Sequence, residues 1–246
     1  MKKFLATKNI LATVALTILF AIYPKVAYGM HIAEGFLPAK WCIFYFVLII
    51  PFFIVGIKSI RKKTSNNKEL KMLLALVAAY VFVLSAMKLP SVSGSSSHPT
   101  GVGLGAIIFG PTTMCVVSVV VLLFQALLLA HGGLTTLGAN TFSMGIVGPF
   151  VSFGIYQLLK KKNKTLAIFL SAALGDLFTY VATSIQLALV FPDKSGGVLA
   201  SATSFLGIFA VTQIPLAIVE GILTVIIFDF ISKHCKNELK LLGEDF

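Results

Sequence analysis

The chain is dominated by apolar runs that are too long to be the buried face of a soluble helix. Residues 41–60, 70–89, 113–130, 141–159, 166–191 and 198–231 each approach or exceed the roughly 20 apolar residues that carry a helix across about 30 Å of hydrocarbon. A further run, 102–109, is short, glycine-rich and bounded by Gly110-Pro111. Composition agrees, with 57% of residues hydrophobic and 12% charged, where soluble domains carry about 25% charged. The expected architecture is an all-α integral membrane protein with about seven transmembrane helices, one of them short and Gly-rich. Pro51 is expected to kink the first helix. The run 198–231 exceeds one perpendicular crossing. It is expected to comprise an outer portion leading into a span that begins near Gln213-Ile214-Pro215.

The formal net charge is +11, which in a soluble chain would suggest nucleic acid as a partner. Here the basic residues sit at helix ends, so the partner they imply is the lipid bilayer and not nucleic acid. Lys58, Arg61, Lys62, Lys63, Lys68 and Lys71 lie between the first two spans. Lys160, Lys161, Lys162 and Lys164 follow the fifth, and Lys233, Lys236 and Lys240 follow the last. The opposite side has only Lys40, Lys88 and Lys194. Positive residues mark the cytoplasmic side, so the C-terminus is expected to be cytoplasmic. The expected setting is a cell membrane that the chain crosses several times. Cys42, Cys115 and Cys235 show no paired spacing and read as free thiols.

Residues 1–29 read as a cleavable signal peptide. Lys2, Lys3 and Lys8 form a basic start, 10–22 is an apolar run, and Ala27-Tyr28-Gly29 offers small residues for the peptidase. An uncleaved first helix is the alternative. Cleavage leaves residues 30–246 with the mature N-terminus outside. An outside start and an inside end require an odd number of crossings. The short run 102–109 must then cross or nearly cross, buried among its neighbours, because it cannot span unaided.

Cleavage also creates chemistry. With Met30 first and His31 second, a terminal amine, a backbone amide nitrogen and an imidazole fall on consecutive positions. Amine and amide close a five-membered ring on a metal, and amide and imidazole Nδ1 a six-membered one. Planar all-nitrogen sites suit Ni(II) or Cu(II), less exclusively Co(II). The fourth corner must come from elsewhere, and His98 is the candidate. It ends a Ser/Gly-rich loop on the same side of the membrane. The bland alternatives are an ordinary polar residue at His31 and a solvent-facing histidine at His98. His131 and Asn140 bracket another uncharged, turn-rich loop on that side. Either could orient a ligand from behind or simply satisfy backbone groups.

Gly101-Val-Gly103-Leu-Gly105 superficially matches a phosphate loop, but no strand precedes it. Gly101 and Gly105 fit close helix packing instead. Asp176, Tyr180 and Ser184 recur at helical spacing, with Gln186 nearby, and Glu220 sits inside the last span. Intramembrane acids suggest function. Inter-helix polar packing is the preferred expectation over a proton relay. The chain carries neither a Walker motif nor His-Glu-x-x-His, so active transport would need an ion gradient or a partner for its energy.

Four motifs in order carry a resemblance: Met30-His31-Ile-Ala-Glu-Gly-Phe-Leu, Ser95-Ser-Ser-His98-Pro-Thr-Gly-Val-Gly-Leu-Gly105, His131-Gly-Gly-Leu-Thr-Thr-Leu-Gly-Ala-Asn140 and Gly175-Asp-Leu-Phe-Thr-Tyr180. Together they resemble the CbiM family, the substrate-binding membrane components of energy-coupling-factor cobalt transporters that feed cobalamin synthesis. The nickel-specific NikM proteins are close relatives. The resemblance implies residues 30–246 as a metal-binding transporter domain that is not itself an enzyme. It implies Co(II) as transported substrate, with Ni(II) the alternative, and no bound organic cofactor. It implies Met30, His31 and His98 as metal ligands. The implied partners are a CbiQ-like coupling subunit, CbiO-like ATPase subunits that hydrolyse ATP, and a small CbiN-like membrane protein. The Ser-Ser-Ser-His-Pro-Thr form is similar to the cobalt branch, and the chain lacks the C-terminal hydrophobic region often fused in nickel versions. Planar nitrogen geometry alone does not select cobalt. From another class, a metal-dependent membrane enzyme would need a general base, for which Glu34 is the acid closest in sequence.

Overall fold

The helices follow the apolar runs, with boundaries moved by local chemistry. The computed structural model describes residues 31–90 and 96–243; the signal-peptide expectation, Met30 and residues 91–95 lie outside them. Helix α1 is Ala39–Thr64 and α2 is Lys68–Ala86. Two short strands, β1 Leu89–Pro90 and β2 Ser96–Ser97, pair antiparallel. Helix α3 is Val102–Phe109, α4 is Pro111–Leu129 and α5 is Leu137–Leu159. Helix α6 is Lys164–Val190, α7 is Gly197–His234 and a short α8 is Lys236–Leu241. Six of these are long and apolar enough to cross a membrane. With α3 as the short seventh, this is an all-α multi-pass membrane protein.

Tracing the antiparallel order puts the two kinds of end apart. The starts of α1, α3, α5 and α7 and the ends of α2, α4 and α6 gather at one end. The lysine clusters after α1, α5 and α7 gather at the other.

Helix α3 is about 12 Å long at 1.5 Å per residue, less than half the hydrocarbon thickness. All its residues are buried, packed against α2, α4, α5 and α6. Its glycines permit this. A Cβ on Gly103 would sit 2.7 Å from Ala172 Cα, and one on Gly105 would meet Met114 and, at 2.8 Å, Val77. The Gly101/Gly105 pair expected from spacing is thus closely packed, since a Cβ on Gly101 would sit 3.1 Å from Val81 Cα, and Gly103 adds a third close approach. Gly101 also takes φ +72, a left-handed turn into the helix. At the far end the Lys63 ammonium donates to the carbonyl of Phe109. A cation on the last carbonyl of a helix matches its dipole.

Two boundaries depart from expectation. Helix α7 is unbroken over 38 residues, about 57 Å, and passes through Pro215, where an outer segment and a separate span were expected. It packs along α6 in the largest helix pairing of the molecule. That packing outweighs the roughly 3 kcal/mol cost of an interior proline. Helix α1 likewise continues through Pro51. Helix α5 starts at Leu137, earlier than expected, and widens to a π-helix over Phe142–Val147 before Gly148-Pro149. Pro149 has no N–H and would clash with the carbonyl four residues back in a regular helix, so a widened turn accommodates it. Asn140 therefore lies within the first turns of α5, not in the preceding loop.

Candidate metal centre

Three segments distant in sequence meet at the end opposite the lysines. His31 comes from the N-terminal segment before α1, His98 from the residues after β2, and His131 from the turn after α4. One ligand nitrogen from each lies within 4.8 Å of the others, and all three residues are buried. The ring centroids of His31 and His98 are 4.3 Å apart, those of His31 and His131 4.5 Å, and those of His98 and His131 5.0 Å. The structure thus brings His31, His98 and His131 together. The alternative of a solvent-facing His98 is overturned, since its exposure is 0%.

Local chemistry delivers each ring. β2 returns the chain against β1, and Ser97 Oγ lies 2.7 Å from Thr212 Oγ1 of α7. His98 follows immediately. Its Nδ1–H donates to the Pro99 carbonyl at 3.0 Å, which leaves Nε2 with a lone pair. That Nε2 lies 3.3 Å from His31 Nδ1. With His98 Nε2 an acceptor, His31 Nδ1 carries the proton between them. His131 is reached through Ala130, which closes α4 at φ +46, a left-handed conformation costly for a residue with a Cβ. The His131 N–H then bonds the Gln125 carbonyl at 3.1 Å. Gly132 follows at φ +76, and a Cβ there would sit 3.1 Å from Asn140 Nδ2.

The N-terminal segment is held along its backbone. Asn140 accepts from the Ile32 N–H at 2.8 Å and donates to the Ile32 carbonyl at 3.0 Å. Thr136 Oγ1 donates to the same carbonyl at 2.7 Å. Two residues further along, Glu34 accepts from Thr135 N at 3.1 Å and from Thr135 Oγ1 at 2.5 Å. Gly133 makes this possible, because a Cβ there would lie 2.5 Å from Glu34 Cα. The Thr135 hydroxyl holds the Glu34 carboxyl below its ordinary range. Glu34 is thus an ionised anchor between two segments.

Burial keeps the three imidazoles neutral. It pushes His98 down to about 4 and His131 to about 2, the latter helped by His98 and Lys88. His31 is lowered well below its ordinary value by burial, then by His98 and His131. The cluster therefore offers lone pairs, not charges, at neutral pH. Among the described residues, three ring nitrogens of the cluster have no hydrogen-bond partner: His31 Nε2 and both nitrogens of His131.

Gln125 was not singled out from sequence. Its Nε2 donates to Ser85 Oγ at 2.7 Å and to the Phe82 carbonyl at 3.4 Å. Its Oε1 is buried with no hydrogen-bond partner among the described residues, and its side chain acts on His31 so as to favour the protonated ring. Its place in an apolar run gave no cue. Met30, the remaining expected ligand, lies outside the described residues.

Known proteins share this architecture. The CbiM family, described as the cobalt uptake substrate-specific transmembrane region, matches residues 31–238. A cobalt transport protein CbiM of Clostridium tetani is 60% identical over 236 residues, covering 96% of this chain and 98% of the relative. One from Moorella thermoacetica is 59% identical, covering 94% and 90%. Among solved structures, a truncated transition metal transporter superposes with a TM-score of 0.72 at 27% identity, covering 83% of this chain and 99% of the other.

Proposed function

The chain belongs to the CbiM family, and from that premise we propose that it is the substrate-binding membrane subunit of an ATP-driven energy-coupling-factor transporter that imports Co(II) for cobalamin biosynthesis. Its role is capture and release, with ATP hydrolysed by partner ATPase subunits through a coupling subunit. The observation that carries the reading is the convergence of three buried, neutral histidines from three separate segments. Uptake of Ni(II) by the same site is the alternative, since planar nitrogen donors suit it as well. A membrane enzyme is disfavoured because Glu34, its candidate base, is engaged by Thr135.

The metal is held by the Met30 amine, the His31 amide and Nδ1, and His98 Nε2. In such a chelate His98 Nε2 lies opposite the amide and beside His31 Nδ1. With metal–nitrogen distances of about 2.0–2.1 Å, neighbouring corners are about 2.9 Å apart. The 3.3 Å between those two atoms is close to this. Metal capture requires the His31 proton to leave Nδ1. Moving it to Nε2 turns that nitrogen into a donor, which suits the Gln125 side chain that already favours the protonated ring. Ligating histidines ordinarily use their second nitrogen in this way. His131 stacks on the His31 ring and Asn140 fixes the backbone beyond it, both from behind the ligands.

Cells expressing the chain together with its coupling and ATPase partners should accumulate Co(II) above cells lacking the chain, measured as metal content. Accumulation that is unchanged by the chain contradicts the assignment. Acid should weaken binding in a defined way. The histidine values are depressed by folding, so the assembled site is most stable above about pH 6.5 and loses stability as pH falls below it, towards about 4 for His98 and about 2 for His131. From pH 7 to 5 the folded imidazoles stay neutral, and the protons released on binding are those of the terminal ammonium, with a reference pKa of about 7.7–8.0, and of the amide. Two protons per metal correspond to a change in Kd of about 100-fold per pH unit. Titration of purified protein with Ni(II) measures this slope, and a flat profile would indicate an ordinary side-chain site.

A further inference from the structure

Helix α7 grips the segment that carries His98 at nearly every residue. Thr212 Oγ1 meets Ser97 Oγ at 2.7 Å. Gln213 Nε2 donates to the His98 carbonyl at 3.2 Å and to Asp176 Oδ2 of α6 at 2.5 Å. Glu220 accepts from Thr100 N at 2.5 Å, from Gly101 N at 2.9 Å and from Thr100 Oγ1 at 3.1 and 3.3 Å. Gln213 and Glu220 are seven residues apart, two turns on one face of α7. Ser97, His98, Thr100, Asp176, Gln213 and Glu220 are all fully buried.

Chemistry explains the strength of the grip. Helix α3 has no side-chain cap of its own at Gly101. Its entry N–H groups lie where no water competes, and each unsatisfied group there costs several kcal/mol. A carboxylate at that point satisfies the donors and matches the positive end of the helix dipole. Only Pro99 lies between this anchor at Thr100 and the Gln213 contact at His98, too little chain to absorb a displacement.

We propose that Glu220, with Gln213 held in place by Asp176, is a positioning device that sets the His98 imidazole at the metal site from within the membrane. None of these side chains touches the metal. They fix the backbone on both sides of Pro99, whose carbonyl in turn sets the His98 tautomer. The polar residues of α6 and α7 that the sequence marked as inter-helix packing thereby acquire a role in metal binding. This inference rests on His98 being a ligand.

The test is a double-mutant cycle on purified protein beginning at Met30, with Ni(II) alone as probe, reading Kd and the visible absorption of the planar ion. Glu220→Gln and Gln213→Met are each made singly and in combination with His98→Ala. Each single variant should weaken Ni(II) binding about 10–100-fold, the range for residues behind a ligand, and shift the absorption towards that of His98→Ala. In the His98→Ala background neither should weaken binding further, because their effect passes through that ring. Losses that simply add would overturn the proposal and indicate general structural damage. So would a His98→Ala loss without any loss in the other two. An inert His98→Ala would refute the site itself, and with it the present inference. If Glu220→Gln does not accumulate in membranes, Gln213→Met decides alone, since it leaves the carboxylate and the α3 entry bonds in place.

Discussion

Purified protein carrying one alanine inserted ahead of Met30 should lose tight binding of Co(II) and Ni(II), by roughly 1,000-fold or more, about 4 kcal/mol. Every side chain is retained in this variant, so side-chain chemistry alone predicts no change. The proposed chelate predicts collapse for geometric reasons. The five-membered ring needs the amine one residue before the His31 amide. An inserted residue converts the Met30 nitrogen into a peptide nitrogen and moves the amine beyond the ring. Without that anchor the His31 amide has no reason to give up its proton. What remains is an imidazole cluster able to hold a metal only through side chains. The comparison also separates metals. An ordinary imidazole cluster suits Zn(II), whereas amide deprotonation favours metals that form strong planar bonds. The extended variant should therefore lose its preference for Ni(II) and Co(II) over Zn(II). Isothermal titration of the two forms side by side provides the measurement.

The second large effect is expected at His98. His98→Ala removes the fourth nitrogen, and metal affinity should fall by at least about 100-fold, roughly 2.7 kcal/mol, with membrane insertion unchanged. His131→Ala should cost about 10-fold, the lower end for groups that orient a ligand. The distinction rests on hydrogen bonding. His98 presents a lone pair, with Nδ1–H bound to the Pro99 carbonyl and Nε2 directed at His31 Nδ1. His131 has neither nitrogen fixed by a partner among the described residues, and its ring meets that of His31 tilted by 33°. Equal and complete loss in both variants would place His131 among the ligands and redraw the site.

The membrane class was legible because it depends on run length and on where lysines fall, and both are local properties of the chain. The gathering of His31, His98 and His131 was legible at one remove. Charge asymmetry assigns the N-terminus and the loops of His98 and His131 to one side, and histidines on one side can share a site. What was not legible depends on pairings more than a hundred residues apart that leave no periodic trace. The two-way bond of Asn140 to Ile32 spans 108 residues, and that of Gln213 to the His98 carbonyl spans 115. Gln125 lies in an apolar run where a single amide looks incidental. Helix α7 was divided at Pro215 because local propensity penalises an interior proline, while the packing on α6 that overrides it is tertiary. Glu220 was recognised as an acid in the membrane, but only the fold shows that it closes the entry of α3.

If the mature N-terminus of the chain is itself a ligand, intact-mass spectrometry of the purified, metal-loaded protein should show a chain that begins at Met30 and carries one metal ion. A chain that retains residues 1–29 while binding the ion just as tightly would contradict it.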